Sequence, residues 1–146
     1  MGLKIFKAFW FLSMLVLLAN LLYVYASLPE SVAIRDETGD FVSLGREPFF
    51  YIVTFLIALI NVLVYIVSFV FKKNVDLRAW FHGLIICVNI FFIISLSFIA
   101  LFNSGEKFDY SQIDFVIYGS IGLLLLWAIG WPFYLIYRKF SPNQPV

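Results

Sequence analysis

The chain has 146 residues, of which 63% are hydrophobic, and its mean hydropathy is +0.98. Soluble proteins are about 45–50% apolar, so this composition indicates a membrane protein with a single domain spanning residues 1–146. The formal net charge of +1 provides no basic surface for nucleic acid, which is therefore not an expected partner. The single cysteine, Cys87, excludes a disulfide bond or a cysteine metal cage within the chain.

Four apolar stretches follow one another along the chain, and each is long enough to cross a bilayer as a helix. We predict an all-α integral membrane protein whose four transmembrane helices cover about residues 6–26, 49–71, 79–102 and 115–137. The helices should form an up-down-up-down bundle in which sequence neighbours are adjacent. Polar loops are expected at residues 27–48 and 103–114. The first stretch resembles a secretory signal, but its apolar run of about nineteen residues is long for a signal, and we interpret it as a helix.

The distribution of lysine and arginine predicts the orientation of the bundle. Seven of these residues lie at the chain ends or in the turn after the second helix, and three lie in the longer loops. The seven are Lys4, Lys7, Lys72, Lys73, Arg78, Arg138 and Lys139. Because lysine and arginine are enriched in cytoplasmic loops, both termini are expected in the cytoplasm.

Small polar side chains recur at seven-residue intervals in the first three helices, and we name this set the polar seam. The polar seam consists of Ser13, Asn20, Thr54, Asn61, Ser68 and Asn89. A seven-residue interval keeps these side chains on one face of each helix, which Ala58 and Tyr65 share in the second helix. Lipid cannot satisfy an amide, so these faces should meet, with a hydrogen bond between Asn61 and Asn89. A path for a substrate or an ion is the alternative interpretation.

The fourth helix carries small residues in place of polar ones. Gly119, Gly122 and Gly130 fall on one face with Leu126, which predicts a groove for the backbone of a partner helix. Trp127 lies near the middle of this helix, and its indole N–H needs an acceptor. Either an asparagine of the polar seam or another protein should provide it.

The sequence offers little catalytic or transport chemistry. No aspartate, glutamate, lysine or arginine falls within the four predicted spans, whereas proton relays and coupled transporters generally need such groups. The one histidine, His82, is expected near the inner boundary in contact with a headgroup or a loop. A haem or metal shared with another subunit is the minor alternative. We therefore predict no cofactor, no metal and no enzyme activity.

The loop between the first two helices contains alternating apolar residues, which favours a short hairpin or a loop folded on the bundle end. Its pattern of Leu28, Pro29, Gly39, Gly45 and Arg46 resembles a bacterial membrane domain of unknown function. The SdpI-type toxin-immunity proteins share that domain. The resemblance implies a bacterial inner-membrane protein with this loop outside the cell.

These observations favour a non-catalytic accessory subunit that packs within a larger bacterial inner-membrane complex, for example a respiratory one. Its expected partners are the lipid bilayer and either other membrane subunits or further copies of the chain. An immunity or signalling protein similar to the SdpI type is the main alternative. A small transporter or lipid-handling protein that uses the polar seam is a third.

Overall fold

In a computed structural model, the chain forms four long helices and one two-stranded antiparallel sheet within the part that the structure describes, residues 2–35, 41–105 and 111–140. The helices are α1 (Gly2–Ser27), α2 (Arg46–Val70), α3 (Val75–Asn103) and α4 (Ser111–Phe140). The strands are β1 (Ser31–Arg35) and β2 (Phe41–Gly45). Each helix is long and apolar enough to cross a membrane, as predicted, and this makes the chain a multi-pass membrane protein.

The helices extend beyond the predicted apolar spans at most of their ends. Arg46 and Glu47 form the first turn of α2, and Arg138 and Lys139 lie in the last turn of α4. The predicted spans followed the apolar runs, but hydrogen bonding within a helix does not stop where the apolar run stops. At the start of α3, the Asn74 side chain accepts a hydrogen bond from the Leu77 amide at 3.0 Å and fixes where the helix begins.

Helix α3 is the central element, because it packs against each of the other three helices. Most of the packing of α1 is against α3, and α1 makes much less contact with its sequence neighbour α2. The expected contact between α1 and α2 is present, through the Trp10–Asn61 hydrogen bond and the Tyr25–Phe50 ring contact, but it is the smaller of the two. The reason is that Ser13 and Asn20 on α1 find their hydrogen-bond partners on α3.

Side-chain contacts fix the relative directions of the helices. Ser13 meets Asn89, and Asn20 meets Ile93, so α1 and α3 run parallel. Helices α2 and α4 run in the opposite direction, since each begins at the end of the bundle where α3 ends.

The apolar core fills the half of the bundle that lies next to the strands. It is built from buried residues at three- or four-residue spacing: Leu17, Leu21 and Val24 on α1; Phe49, Val53 and Ile57 on α2; and Leu96 on α3. On α2 this buried face differs from the one predicted, because Thr54 is only half-buried and Tyr65 is 65% exposed. The bulkier apolar side chains turn toward the core, and Asn61 alone of the predicted face is buried with them.

The hairpin of β1 and β2 closes one end of the bundle. Ser31 pairs with Gly45 and Arg35 pairs with Phe41, which makes the loop a hairpin, one of the two predicted forms. Leu28 and Val32 are buried in the same cluster as the core of α1 and α2, so the hairpin packs on the helices. The segment between the strands, which contains Gly39, lies outside the described residues.

Candidate functional site

Two buried asparagines form a reciprocal pair at the centre of the bundle. The side-chain amide of Asn61 donates to Asn89 Oδ1 at 3.0 Å, and the amide of Asn89 donates to Asn61 Oδ1 at 3.2 Å. Asn61 lies on α2 and Asn89 on α3, and both are buried, with exposed fractions of 6% and 0%. The predicted hydrogen bond between these two residues is present.

Helix α1 joins this pair through two further contacts. The indole N–H of Trp10 donates to Asn61 Oδ1 at 2.9 Å, and the Asn89 amide donates to the Ser13 hydroxyl oxygen at 3.0 Å. Asn61 also donates to the Ile57 carbonyl of its own helix at 2.9 Å. Both amide hydrogens of each asparagine therefore have acceptors, so the network is closed and offers no free polar group to a substrate.

The structure brings together only part of the polar seam. Ser13, Asn61 and Asn89 meet in the central network, whereas Thr54 and Ser68 do not join it. The hydroxyl of Thr54 is buried and has no hydrogen-bond partner in the described part of the chain. Trp10, which no sequence pattern assigned to this network, completes it because a Trp ring is long enough to reach Asn61 from α1.

A second polar layer joins α1 to α3 nearer the hairpin. The Asn20 amide donates to the Ile93 carbonyl at 3.2 Å, and the Ser97 hydroxyl lies 3.3 Å from Asn20 Oδ1. Asn20 is the remaining member of the polar seam, and its partner Ser97 lies at the depth that the helical rise predicts. This layer fixes the register of the two parallel helices.

A third layer ties the hairpin to the end of α3. The Ala33 amide donates to Asn103 Oδ1 at 2.8 Å, and the Asn103 amide donates to the Ala33 carbonyl at 3.1 Å. Asn103 thus satisfies both main-chain groups of one strand residue, as a neighbouring strand would. Asn103 was expected in the loop at residues 103–114, but it ends α3 and follows Asn89 and Leu96 at seven-residue spacing on the same face of that helix.

The residues that carry the family resemblance mostly lie at the base of the hairpin. The Arg46 guanidinium donates to the Leu28 carbonyl at 3.2 Å and lies 5.1 Å from the centre of the Tyr25 ring. Gly45 precedes α2, and the Arg46 amide donates to the Glu30 carbonyl at 2.9 Å. Pro29 is exposed between the helix and the strand. Within the described residues, this arrangement holds the hairpin closed.

Helix α4 is attached to α3 by a second reciprocal pair, formed by two tryptophans. The Trp80 indole donates to the Trp127 carbonyl, and the Trp127 indole donates to the Trp80 carbonyl, each at 3.0 Å. Neither of the predicted acceptors for Trp127 is used. The Trp127 ring lies directly against Gly83, where any β-carbon would clash with it. Gly83 therefore permits the close approach of the two helices.

The glycines of α4 lie away from the rest of the protein. A β-carbon at Gly119, Gly122 or Gly130 would meet no atom within 4 Å, so no described part of the chain packs into the predicted groove. Trp127 lies on the neighbouring face, toward α3. The three glycines thus form an open face, whereas Trp127, also predicted to meet a partner, contacts α3.

His82 is buried inside the bundle. Its Nδ1 lies 2.6 Å from the Arg78 carbonyl oxygen, and its ring meets the Trp10 ring edge to face. The expected contact with a headgroup or loop is therefore wrong, because α3 is the central helix and its faces are covered. Among the described residues, no three side chains of His, Cys, Asp or Glu lie close enough together to hold a metal ion.

Comparisons with known protein families, with curated proteins and with solved structures find no match for this chain. The resemblance of the hairpin to the SdpI-type domain consequently stays a prediction, and function has to be argued from the geometry.

Proposed function

We propose that this protein is a non-catalytic subunit of a larger bacterial inner-membrane complex, and that it binds a partner helix through the open face of α4. The observation that carries the proposal is the contrast between this face and the interior. The central asparagines are fully hydrogen-bonded within the chain, whereas Gly119, Gly122 and Gly130 face open space.

The open glycine face suits a helix contact for a physical reason. In a membrane, helices associate through close packing of backbones and not through the hydrophobic effect, and small residues allow the closest approach. Helix α4 also has the smallest buried share of the four helices, since most of its contacts are with α3 alone. A partner helix on this face would cover apolar surface that the described part of the chain leaves open.

A co-purification experiment tests this proposal. In a gentle detergent, the untagged chain of 16.9 kDa should migrate within a larger assembly. Gly122→Leu should release it from that assembly because the leucine side chain fills the space for a partner backbone. Ile121→Phe is the matched control, since Ile121 is exposed on α4 but lies roughly 100° or more around the helix from each of the three glycines, and it should leave the assembly intact. A wild-type chain that migrates alone as a monomer contradicts the proposal.

We further propose that the helices cross the membrane in up-down-up-down order with both termini in the cytoplasm. The seven basic residues that support this orientation lie at one end of the bundle, together with the α2–α3 turn. A cysteine at Gly105 should react with an impermeant maleimide in intact cells, and a cysteine at Gln144 should not. Cys87→Ala provides the background without native thiols. Labelling of the cysteine at position 144 and not of the one at position 105 would mean that both termini lie outside the cytoplasm.

An immunity or signalling protein of the SdpI type is the second candidate function. The observation that favours it is the hairpin, which Asn103 and Arg46 hold in a fixed position on the bundle end. Such a surface suits recognition of an extracellular peptide. Deletion of the gene with no change in sensitivity to secreted toxins or in transcription would remove this candidate. A transporter using the polar seam has no support from the closed Asn61–Asn89 network.

A further inference from the structure

A groove opens between α1 and α4, over the surface of α3, at the end of the bundle that carries most of the lysines. Its volume is about 500 Å³, and we name it the aromatic groove. Its lining includes Phe6, Trp80, Trp127, Gly130, Trp131 and Tyr134, with Asp76 at the outer end. The rings pack against one another. The ring centres of Trp80 and Trp131 are 5.4 Å apart, and those of Phe6 and Trp127, which meet edge to face, are 5.8 Å apart. The groove is therefore a preformed apolar surface.

The length of the aromatic groove matches one leaflet of a bilayer. Its lining on α4 extends from Tyr134 to Leu123, a separation of eleven residues and hence roughly 16 Å along the helix. Half of a bilayer's hydrocarbon core is about 15 Å thick. The outer end, at Asp76, lies in the first turn of α3 next to the basic α2–α3 turn, at the level of the headgroups. The groove thus reaches from the membrane interface to the midplane.

The shape and lining of the aromatic groove suit an extended hydrocarbon chain. About 500 Å³ of open space is distributed over roughly 16 Å between rings of α1, α3 and α4. An extended acyl chain is long enough to occupy this length, and the apolar rings would cover its surface.

Two opposite charges lie at the outer end of the groove. The Asp76 carboxylate is 3.6 Å from the Arg138 guanidinium, and it accepts a hydrogen bond from the Tyr134 hydroxyl at 3.0 Å. Both charged side chains remain accessible, Asp76 at 51% and Arg138 at 69%. A phosphoethanolamine headgroup has the complementary pattern, because its ammonium group donates to a carboxylate and its phosphate accepts from a guanidinium.

We propose that the aromatic groove binds one phospholipid of the adjacent leaflet. One acyl chain lies along Trp80, Trp127 and Gly130, the ammonium of a primary-amine headgroup binds Asp76, and the phosphate binds Arg138. This site borders on the partner face that we propose, because Gly130 belongs to both, but Asp76 and Arg138 lie outside that face. The headgroup preference can therefore be tested without knowledge of a partner.

Quenching of tryptophan fluorescence by brominated acyl chains measures this binding directly, since three of the four tryptophans line the groove. The protein is placed in nanodiscs of unbrominated phosphatidylcholine with a fixed small fraction of dibrominated lipid. The headgroup of the brominated lipid is phosphoethanolamine, phosphocholine or phosphoglycerol. We expect the quenching to show a preference of about two- to five-fold for phosphoethanolamine over the other two headgroups. This is the effect of one accessible ion pair. Asp76→Asn should reduce the preference to about one.

Three further variants separate the headgroup contact from structural damage. Tyr134→Phe removes the hydroxyl bound to Asp76 but keeps the carboxylate, so the preference should remain. Gly130→Leu fills the groove and should reduce quenching for all three headgroups. Gly119→Leu is its matched control, on the same side of α4 but outside the groove, and should quench as the wild type does.

Three results would overturn the proposal. The first is equal quenching by the three headgroups in the wild-type protein, which would mean that the charges at the outer end select nothing. The second is a headgroup preference that survives Asp76→Asn. The third is high-yield formation of disulfide-linked dimers by Gly130→Cys in these nanodiscs, which would mean that a second copy covers the groove.

Discussion

The reciprocal Asn61–Asn89 pair makes a quantitative prediction about coupling between two helices. Asn61 forms three interhelical hydrogen bonds, one with Trp10 and two with Asn89. Asn89 also forms three, because it shares those two with Asn61 and adds one to Ser13. Interhelical hydrogen bonds in membranes contribute about 0.6 kcal/mol each. Asn61→Leu and Asn89→Leu should therefore each lower the free energy of unfolding by roughly 1.8 kcal/mol.

The double variant should lose less free energy of unfolding than the sum of the losses of the two single variants. It removes four different interhelical bonds, which corresponds to roughly 2.4 kcal/mol. The summed loss of the two single variants exceeds this loss by about 1.2 kcal/mol, which is the coupling energy between positions 61 and 89. The favourable packing of the new leucine side chains largely cancels in the cycle, because it contributes to the single and double variants alike.

Unfolding equilibria in bicelles, measured by steric trapping, give the four free energies of this cycle. Thr54→Val is the matched control, since it removes a hydroxyl that has no hydrogen-bond partner while keeping the shape of the side chain. It should leave stability unchanged or raise it slightly. A coupling energy below about 0.3 kcal/mol is expected of independent sites and would mean that Asn61 and Asn89 do not stabilise each other.

Two further predictions concern the attachments of α4 and of the hairpin. Gly83→Ala should weaken the contact of α3 with α4 by about 1–3 kcal/mol, because the new methyl group would overlap the Trp127 ring. Near-UV circular dichroism during thermal unfolding measures this loss, and the control Gly119→Ala should stabilise by up to about 1 kcal/mol. Asn103→Leu should accelerate hydrogen exchange of the Ala33 amide at least about tenfold, since it removes two hydrogen bonds to β1. Unchanged exchange at Ala33 would contradict the assigned role of Asn103.

Some of the architecture could be predicted because it depends on single helices. The length of an apolar run determines whether a helix can span a bilayer, and the four predicted spans are indeed helices. The Asn61–Asn89 contact was predictable for a similar reason. A buried amide must find a polar partner, and the helical rise places these two residues at the same depth.

The arrangement of the helices was less predictable because periodicity identifies a face without identifying what covers it. The pairing of α1 with α3 depends on Asn20, which could equally have met a polar group on α2. The Trp80–Trp127 pair uses main-chain carbonyls as acceptors, and every residue of a helix has one, so no sequence pattern marks them. Asn103 acquires its role only when the hairpin is placed on the bundle.

The attachments of the helices to α3 differ in kind, and this difference bears on function. Helix α1 is fixed by polar side chains at two depths, and α2 is fixed by the asparagine pair and the apolar core. Helix α4 has no buried amide pair with α3, and it is held by two indole hydrogen bonds, close packing at Gly83, the Phe6–Trp127 ring contact, and an exposed cluster of Asp76, Tyr134 and Arg138. An exposed ion pair contributes at most about 1 kcal/mol. Helix α4 is also the least buried of the four helices, so a partner or lipid that binds it would cover the part of the bundle that the chain itself covers least.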